Sequence, residues 1–202
     1  MNDIFNAIES ISLTVASIAA IFGLFVWKKE AKWKKQSEFN EDILFTFYLC
    51  QDSIRKIRSP FTSNIEVTNV QANYKNVKTD KIDLTNLYVI SERYGKESDN
   101  FNQLKKLKYR FKAVYPNLNI DSFLIIDDTI NSIFKAANLL CISYWPQLGP
   151  DMPETRLKNL NLKIQKYEAI IWNGYLIPDE IEEKIESAIK KMEAQLNNKE
   201  IN

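Results

Sequence analysis

Hydrophobic and polar positions alternate along most of the chain with a helical period, and the first thirty residues break that rule. From Ile11 to Trp27 no residue is charged, and apolar side chains fall on every face of the implied helix. Seventeen to twenty residues at about 1.5 Å each span about 26–30 Å, close to the hydrocarbon thickness of a bilayer. Extension back to Ile4 adds Phe5, Ala7 and Ile8, with Glu9 as the one charge. Ser12, Thr14 and Ser17 are compatible with insertion, because their hydroxyls can bond back to the helix backbone. Trp27 sits where an interfacial aromatic belongs, and Lys28, Lys29, Lys32, Lys34 and Lys35 follow at once. A signal peptide has the opposite order, with basic residues before the apolar run and a cleavage site after it. The pattern predicts a single transmembrane helix, with a short buried core helix as the competing assignment. The lysines then place the N-terminus outside and the C-terminus in the cytoplasm, across the inner membrane.

After the lysines the pattern changes to one-sided stripes. Phe39, Ile43, Phe47, Cys50, Ile54 and Ile57 recur at spacings of three and four, which is one apolar face of a helix. No breaker separates this stripe from the apolar run, so one helix is expected through Trp33 to about Arg58, stopped by Pro60. Residues 61–80 are polar and rich in Asn and Thr, which predicts a loop with a short strand or turn near Ile65–Val70. Leu87, Ile90, Tyr94, Phe101, Leu104, Leu107, Phe111 and Val114 mark the next helix, with Gly95 as a possible interruption and Pro116 as its end. Asp121 is the expected N-cap of a helix striped by Phe123, Ile126, Ile130, Ile133, Ala137, Leu140 and Tyr144. Pro146, Gly149, Pro150 and Pro153 form a linker. A fourth helix over about Glu154–Asn173 carries Leu157, Leu160, Ile164, Tyr167 and Ile171, with Gly174 fitting a C-terminal cap. Pro178 in a first turn, followed by Asp179 and Glu180, opens a fifth striped by Ile181, Ile185, Ile189, Met192 and Leu196. No stretch alternates as a strand. The expected fold is all-α: an N-terminal transmembrane helix continuing into a cytoplasmic four- to five-helix bundle, with residues 1–35 as anchor and 36–202 as bundle domain.

Composition narrows the chemistry. The 202 residues include no His and only four Gly, so His-based triads, His-ligated metals and Gly-rich phosphate loops are absent. Lys plus Arg is 27 against 26 Asp plus Glu, which gives no global reason to bind nucleic acid. Residues 28–35 hold five Lys and one Glu, whereas residues 36–202 are close to neutral. The positive charge is therefore local, and Lys28, Lys29, Lys32, Lys34 and Lys35 are expected to contact lipid headgroups. Cys50 and Cys141 lie in apolar stretches outside any C-x-x-C pair and are expected to be buried and reduced.

Candidate polar sites are few. Glu41–Asp42, Asp127–Asp128 and Glu182–Glu183 are adjacent carboxylates, which point about 100° apart on a helix and form no acid–base dyad. Glu182–Glu183 reads as a solvated face. Asp127, between Phe123, Ile130 and Phe134, lies at the edge of a stripe, as does Arg110 beside Leu107, Phe111 and Val114. Only five residues are Arg against 22 Lys, so an Arg at the edge of a stripe, such as Arg110, is read as kept for its planar fork. Arg110 is expected to pair with Asp127, or with Glu168, across neighbouring helices. Arg55, Lys56 and Arg58 cluster before Ser59-Pro60-Phe61, where helix capping and local ion pairing compete with an anion site. Tyr144, Trp145 and Trp172 read as core or bundle-end packing. No catalytic residue, metal ligand or cofactor site is expected.

Ala31–Phe61 with its Ile-Arg-Ser-Pro-Phe ending, Tyr88–Arg93, Leu104–Val114 around Tyr109-Arg110-Phe111, and Tyr167–Gly174 with Ile-Trp-Asn-Gly resemble, in order and spacing, an uncharacterised family of bacterial membrane proteins. The resemblance implies a short N-terminal span and a helical cytoplasmic domain, and carries no catalytic residues. The function expected is that of a membrane-anchored helical interaction module without catalytic activity, with the bilayer and a protein partner or a second copy as its partners. The alternative is an anion-sensing membrane effector, using Arg55, Arg58 or Arg110, that oligomerises through its span in envelope stress or antiphage defence.

Overall fold

A computed structural model describes the backbone of residues 2–63, 65–66, 68, 85–144 and 153–200; the side chains of residues 2–12, 14, 85–86, 141–144 and 198–200 lie outside the description. Five helices follow in order: α1 (Asn2–Ile57), α2 (Thr85–Val114), α3 (Asp121–Tyr144), α4 (Glu154–Ile171) and α5 (Glu180–Glu200). Among the described residues there is no strand. The chain divides into two compact units, Met1–Asp42 and Ile43–Asn202, with the division inside α1.

In the first unit, every described side chain from Leu13 to Glu30 is exposed. The lysines at 28, 29, 32, 34 and 35 are exposed as well. Among the described residues no helix is long and apolar enough to cross a membrane. The expected span draws on Ile11, Ser12 and Thr14, whose side chains lie outside the described residues.

The second unit buries the stripes. Ile43, Phe47, Cys50, Ile54 and Ile57 of α1 are all buried. From α2 come Val89, Ile90, Phe101, Leu104, Leu107 and Phe111. Tyr115, just past the helix, is buried in place of Val114, which is exposed. Helix α3 is the hub, packed against α2, α4 and α5, and its stripe from Phe123 to Leu140 is buried as its spacing requires. Rings lock the centre: Phe123 lies 4.9 Å from Phe47 and 5.3 Å from Phe111, in tilted and edge-on geometries that favour aromatic pairs. Helix α5 closes the core with Ile181, Ile185, Ala188, Ile189, Met192 and Leu196. Helix α4 is the least covered; its stripe is half-exposed or exposed except for Ile171.

Several local expectations change. Gly95 does not interrupt α2, which runs through it. Asp121 is the first residue of α3, not its cap; the Asn119 side-chain carbonyl accepts its N–H at 2.8 Å, an Asx turn. Pro178 precedes α5, and Asp179 is the cap: its Oδ1 accepts the N–H groups of Ile181 and Glu182 at 3.0 and 3.2 Å. In place of a strand, residues 65–66 and 68 are helical. Ser63 and Glu66 bond reciprocally, N–H to carboxylate at 3.1 Å and N–H to hydroxyl at 3.2 Å, a capping box. The linker residues 145–152, Trp145 among them, and the stretch 69–84 lie outside the described residues.

Candidate functional site

The most concentrated polar chemistry lies where α1 ends. Arg58, the first residue past α1, is fully buried. Its Nε donates to the Ile170 carbonyl at 2.9 Å, and its Nη2 to the carbonyls of Ala169 and Trp172 at 3.0 and 3.3 Å. These carbonyls belong to the last turn of α4 and the residue after it, where no intrahelical donor remains. The same Nη2 lies 3.0 Å from both Asp179 oxygens. A cation thus sits at the C-terminus of α4 and an anion at the N-terminus of α5, each matched to its helix dipole, and the two charges meet. The Arg58 main chain adds a bond, accepting the Asn173 N–H at 2.8 Å. Asp179 Oδ2 also accepts the Gly174 N–H at 3.1 Å, and Gly174 has φ +71°, the left-handed region that favours glycine. Burial alone would raise the Asp179 carboxyl, but the Arg58 hydrogen bonds, the Gly174 and Glu182 amides and the guanidinium charge outweigh it and hold it below its ordinary value.

One turn back, Arg55 is paired with Glu182 through both Nε and Nη2, the former at 3.0 Å, and with Asp52 at 3.5 Å. Gln51 donates to the same Glu182 oxygen at 2.8 Å. Glu182 is therefore largely buried against α1, and only Glu183 of this pair is a solvated side chain.

A second buried arginine repeats the device. Arg93 of α2 donates to the carbonyls of Ser59 and Phe61 at 2.6 and 2.7 Å, and its Nε and Nη2 grip the Glu66 carboxylate at 2.9 Å each. Those bonds, led by the hydrogen bonds from Arg93, pull the Glu66 carboxyl down to about 2. Beside it Glu97 accepts from Ser53 at 2.8 Å and from Lys56 at 3.3 Å. Arg93 was not singled out by its sequence neighbourhood. The Ser63-x-x-Glu66 spacing was the available signal that residues 63–66 begin a helical turn.

Arg110 and Asp127 are not brought together as expected. Asp127 receives Lys108 Nζ at 2.6 Å, and Arg110 is exposed. Residues two apart on a helix point about 200° apart, so a face that presents Lys108 to Asp127 turns Arg110 away. Glu168 accepts the Tyr175 hydroxyl at 2.7 Å.

Arg55 and Arg58, where the sequence leaves capping and local ion pairing in competition with an anion site, are paired with the chain's own carboxylates. Cys50 is buried and its thiol is pushed up to about 12 by burial, with the Asp127 charge adding to it; at neutral pH it is no nucleophile. Among the described residues no cluster of acidic, Cys or His side chains is arranged to hold a metal. Trp172 is half-buried, and the side chains of Tyr144 and Cys141 lie outside the described residues. What the arrangement does is mechanical: two buried guanidinium forks fix three helix ends and the loops between them. No family model, curated protein or solved structure matches the chain.

Proposed function

We infer that the protein is a single-span, membrane-anchored helical interaction module without catalytic activity. The observation that carries this is the surface of α1 between residues 13 and 27. Leu13, Val15, Ile18, Ile21, Phe22, Leu24, Phe25, Val26 and Trp27 are each 50–68% exposed, and no charge lies among them. A helix that is apolar all round belongs in a protein core or in lipid, and the described side chains of this one from Leu13 to Trp27 are exposed. Residues 15–27 alone give about 20 Å of helix; the sequence from Ile11, or from Ile4, supplies the remaining length. The five exposed lysines that follow suit an anionic leaflet at about 1 kcal/mol each and support a cytoplasmic C-terminal unit. The buried arginines support the non-catalytic half of the reading, because Nε and Nη2 of Arg58 and the Arg93 guanidinium hold helix ends and loop carbonyls, although Arg58 Nη1 is buried without a partner among the described residues. An anion-gated effector built on Arg55 or Arg58 would have to exchange Glu182 or Asp179 for its ligand.

Alkaline carbonate treatment of membranes tests the anchor: the full-length protein stays with the pellet. Release into the supernatant, or a C-terminal reporter active only outside the cytoplasm, would overturn it.

A further inference from the structure

The near-neutral sum of residues 36–202 conceals one strongly basic stretch. Between Asp99 and Asp121 the chain has five cations, Lys105, Lys106, Lys108, Arg110 and Lys112, and no carboxylate. All five lie on α2, whose Leu104, Leu107 and Phe111 are buried. At 3.6 residues per turn, Lys105, Lys106, Tyr109, Arg110 and Lys112 fall within about half of the helix circumference, and each is exposed. Tyr109, in the middle of this arc, is 72% exposed. Lys108 stands apart, turned to Asp127 of α3. Lys105, Lys106 and Lys112 form no ion pair with any described residue. The contacts of α1 with α2 fix where this face lies. Ser53 and Lys56 meet Glu97, and the Cys50 thiol donates to the Asn100 carbonyl, so the two helices run antiparallel with Asn100 level with Cys50. Five residues on, Lys105 is about level with Phe45, and Lys112 lies past the level of Ile43. The basic face is therefore at the end of the second unit where the chain enters it, away from the Arg58 end.

We propose that this face is a second lipid contact: Lys105, Lys106 and Lys112 engage the anionic headgroups of the leaflet beside the anchor, with Tyr109 among them at headgroup depth. The contact deepens the anchored-module reading and rests on it for its location. The chemistry of the face fits a bilayer surface. Ammonium groups on flexible stems are point charges suited to a diffuse layer of phosphates, whereas one fixed anion is better held by a guanidinium fork. A half-apolar ring among them is of the kind enriched at the membrane–water interface. A nucleic acid would be gripped through several stacked aromatics, and Tyr109 is the one aromatic of the arc. Proximity comes from the chain itself. Eight residues separate Lys35 from Ile43, about 12 Å of helix, which holds the second unit at high effective concentration beside the headgroups. Carboxylates are confined to the flank of the face, where Asp121 begins α3 and Asp127 takes Lys108.

Amine footprinting of the full-length chain in lipid nanodiscs reads each lysine separately. A water-soluble acetylating reagent is applied and the peptides are quantified by mass spectrometry. Lys105, Lys106 and Lys112 should react about threefold more slowly, or less, in discs containing phosphatidylglycerol than in discs of phosphatidylcholine alone, and high salt should abolish the difference. Lys166 and Lys184, exposed near the Arg58 end, should react equally in both. Tyr109→Glu should remove most of the protection and Tyr109→Trp should keep it; the position is exposed, so helix content by circular dichroism stays unchanged. Equal rates at the three lysines in the two discs would overturn the proposal. Protection already complete in phosphatidylcholine would also overturn it, as the mark of a protein contact, and so would equal protection of Lys166 and Lys184. Insertion into the phosphatidylcholine discs reads the anchor by itself. A chain that inserts without the protection fails only this proposal, and one that does not insert but is protected by phosphatidylglycerol vesicles fails only the anchor.

Discussion

Arg58 and Arg110 are both arginines near the end of a helix with apolar neighbours, yet one is sealed in the core and the other is exposed. The difference lies in what each meets. Arg58 has an acidic cap and three leftover carbonyls within reach of one planar fork, whereas Arg110 is exposed on α2. Arg58→Ala strands Asp179 in a half-buried site and should destabilise the fold by about 3–5 kcal/mol. Arg58→Lys should recover little, because an ammonium lacks the fork. Arg110→Ala should change stability by under ~1 kcal/mol. Urea denaturation in detergent, followed by circular dichroism, measures all three, and equal effects at the two arginines would contradict the assignment. Glu66 gives a pH dependence of definite sign. Its carboxyl titrates near 2 when folded and near its ordinary 4.5 when unfolded. The unfolded chain therefore binds the proton first, and the Glu66–Arg93 contribution is present above about pH 4.5 and lost as pH falls toward 2. Asp179 acts in the same direction. Glu66→Gln should lower stability at neutral pH and flatten its fall across that acid window.

Helices were legible from spacing because burial along a helix is a local property. The stripes of α1, α3 and α5 repeat every three or four residues and are buried at those positions. Ion pairs were not legible, since Arg58 and Asp179 are 121 residues apart and only the packing of α4 and α5 against the end of α1 joins them. Glu182 shows the same limit: its sequence neighbours are those of a surface helix, and its partners, Arg55 and Gln51, come from α1. Two glycines test how far local rules reach. Gly95 lies inside α2, and a Cβ there meets nothing within 4 Å. Gly95→Ala should stabilise the protein by about 0.5–1 kcal/mol through reduced backbone entropy. Gly174 has equal space but φ +71°, so Gly174→Ala should destabilise it by about 1–2 kcal/mol. Thermal denaturation that moved in the same direction for both would show that space, not backbone conformation, sets the outcome.

At the scale of the whole molecule, the two units present opposite relations between sequence and solvent. Among the described residues from Ile43 on, the stripes of α1, α3 and α5 are buried, as in a chain folded in water. The described side chains of residues 13–27 are exposed and predominantly apolar, an arrangement that apolar surroundings would favour. Charge is distributed to match: the surplus of five Lys over one Glu lies in residues 28–35 alone, and the remaining 167 residues are nearly balanced. If the lysines set orientation, they act as a local excess of Lys over the short N-terminal flank, whose charges are Asp3 and Glu9. Replacing all five with Gln while placing Lys at Asn2 and Asn6 should reverse that excess without altering the apolar run. A C-terminal reporter fusion should then lose its cytoplasmic signal in a large fraction of chains, while carbonate-resistant membrane association persists. Retention of the full cytoplasmic signal would show that the C-terminal unit, not the lysines, dictates the direction of insertion.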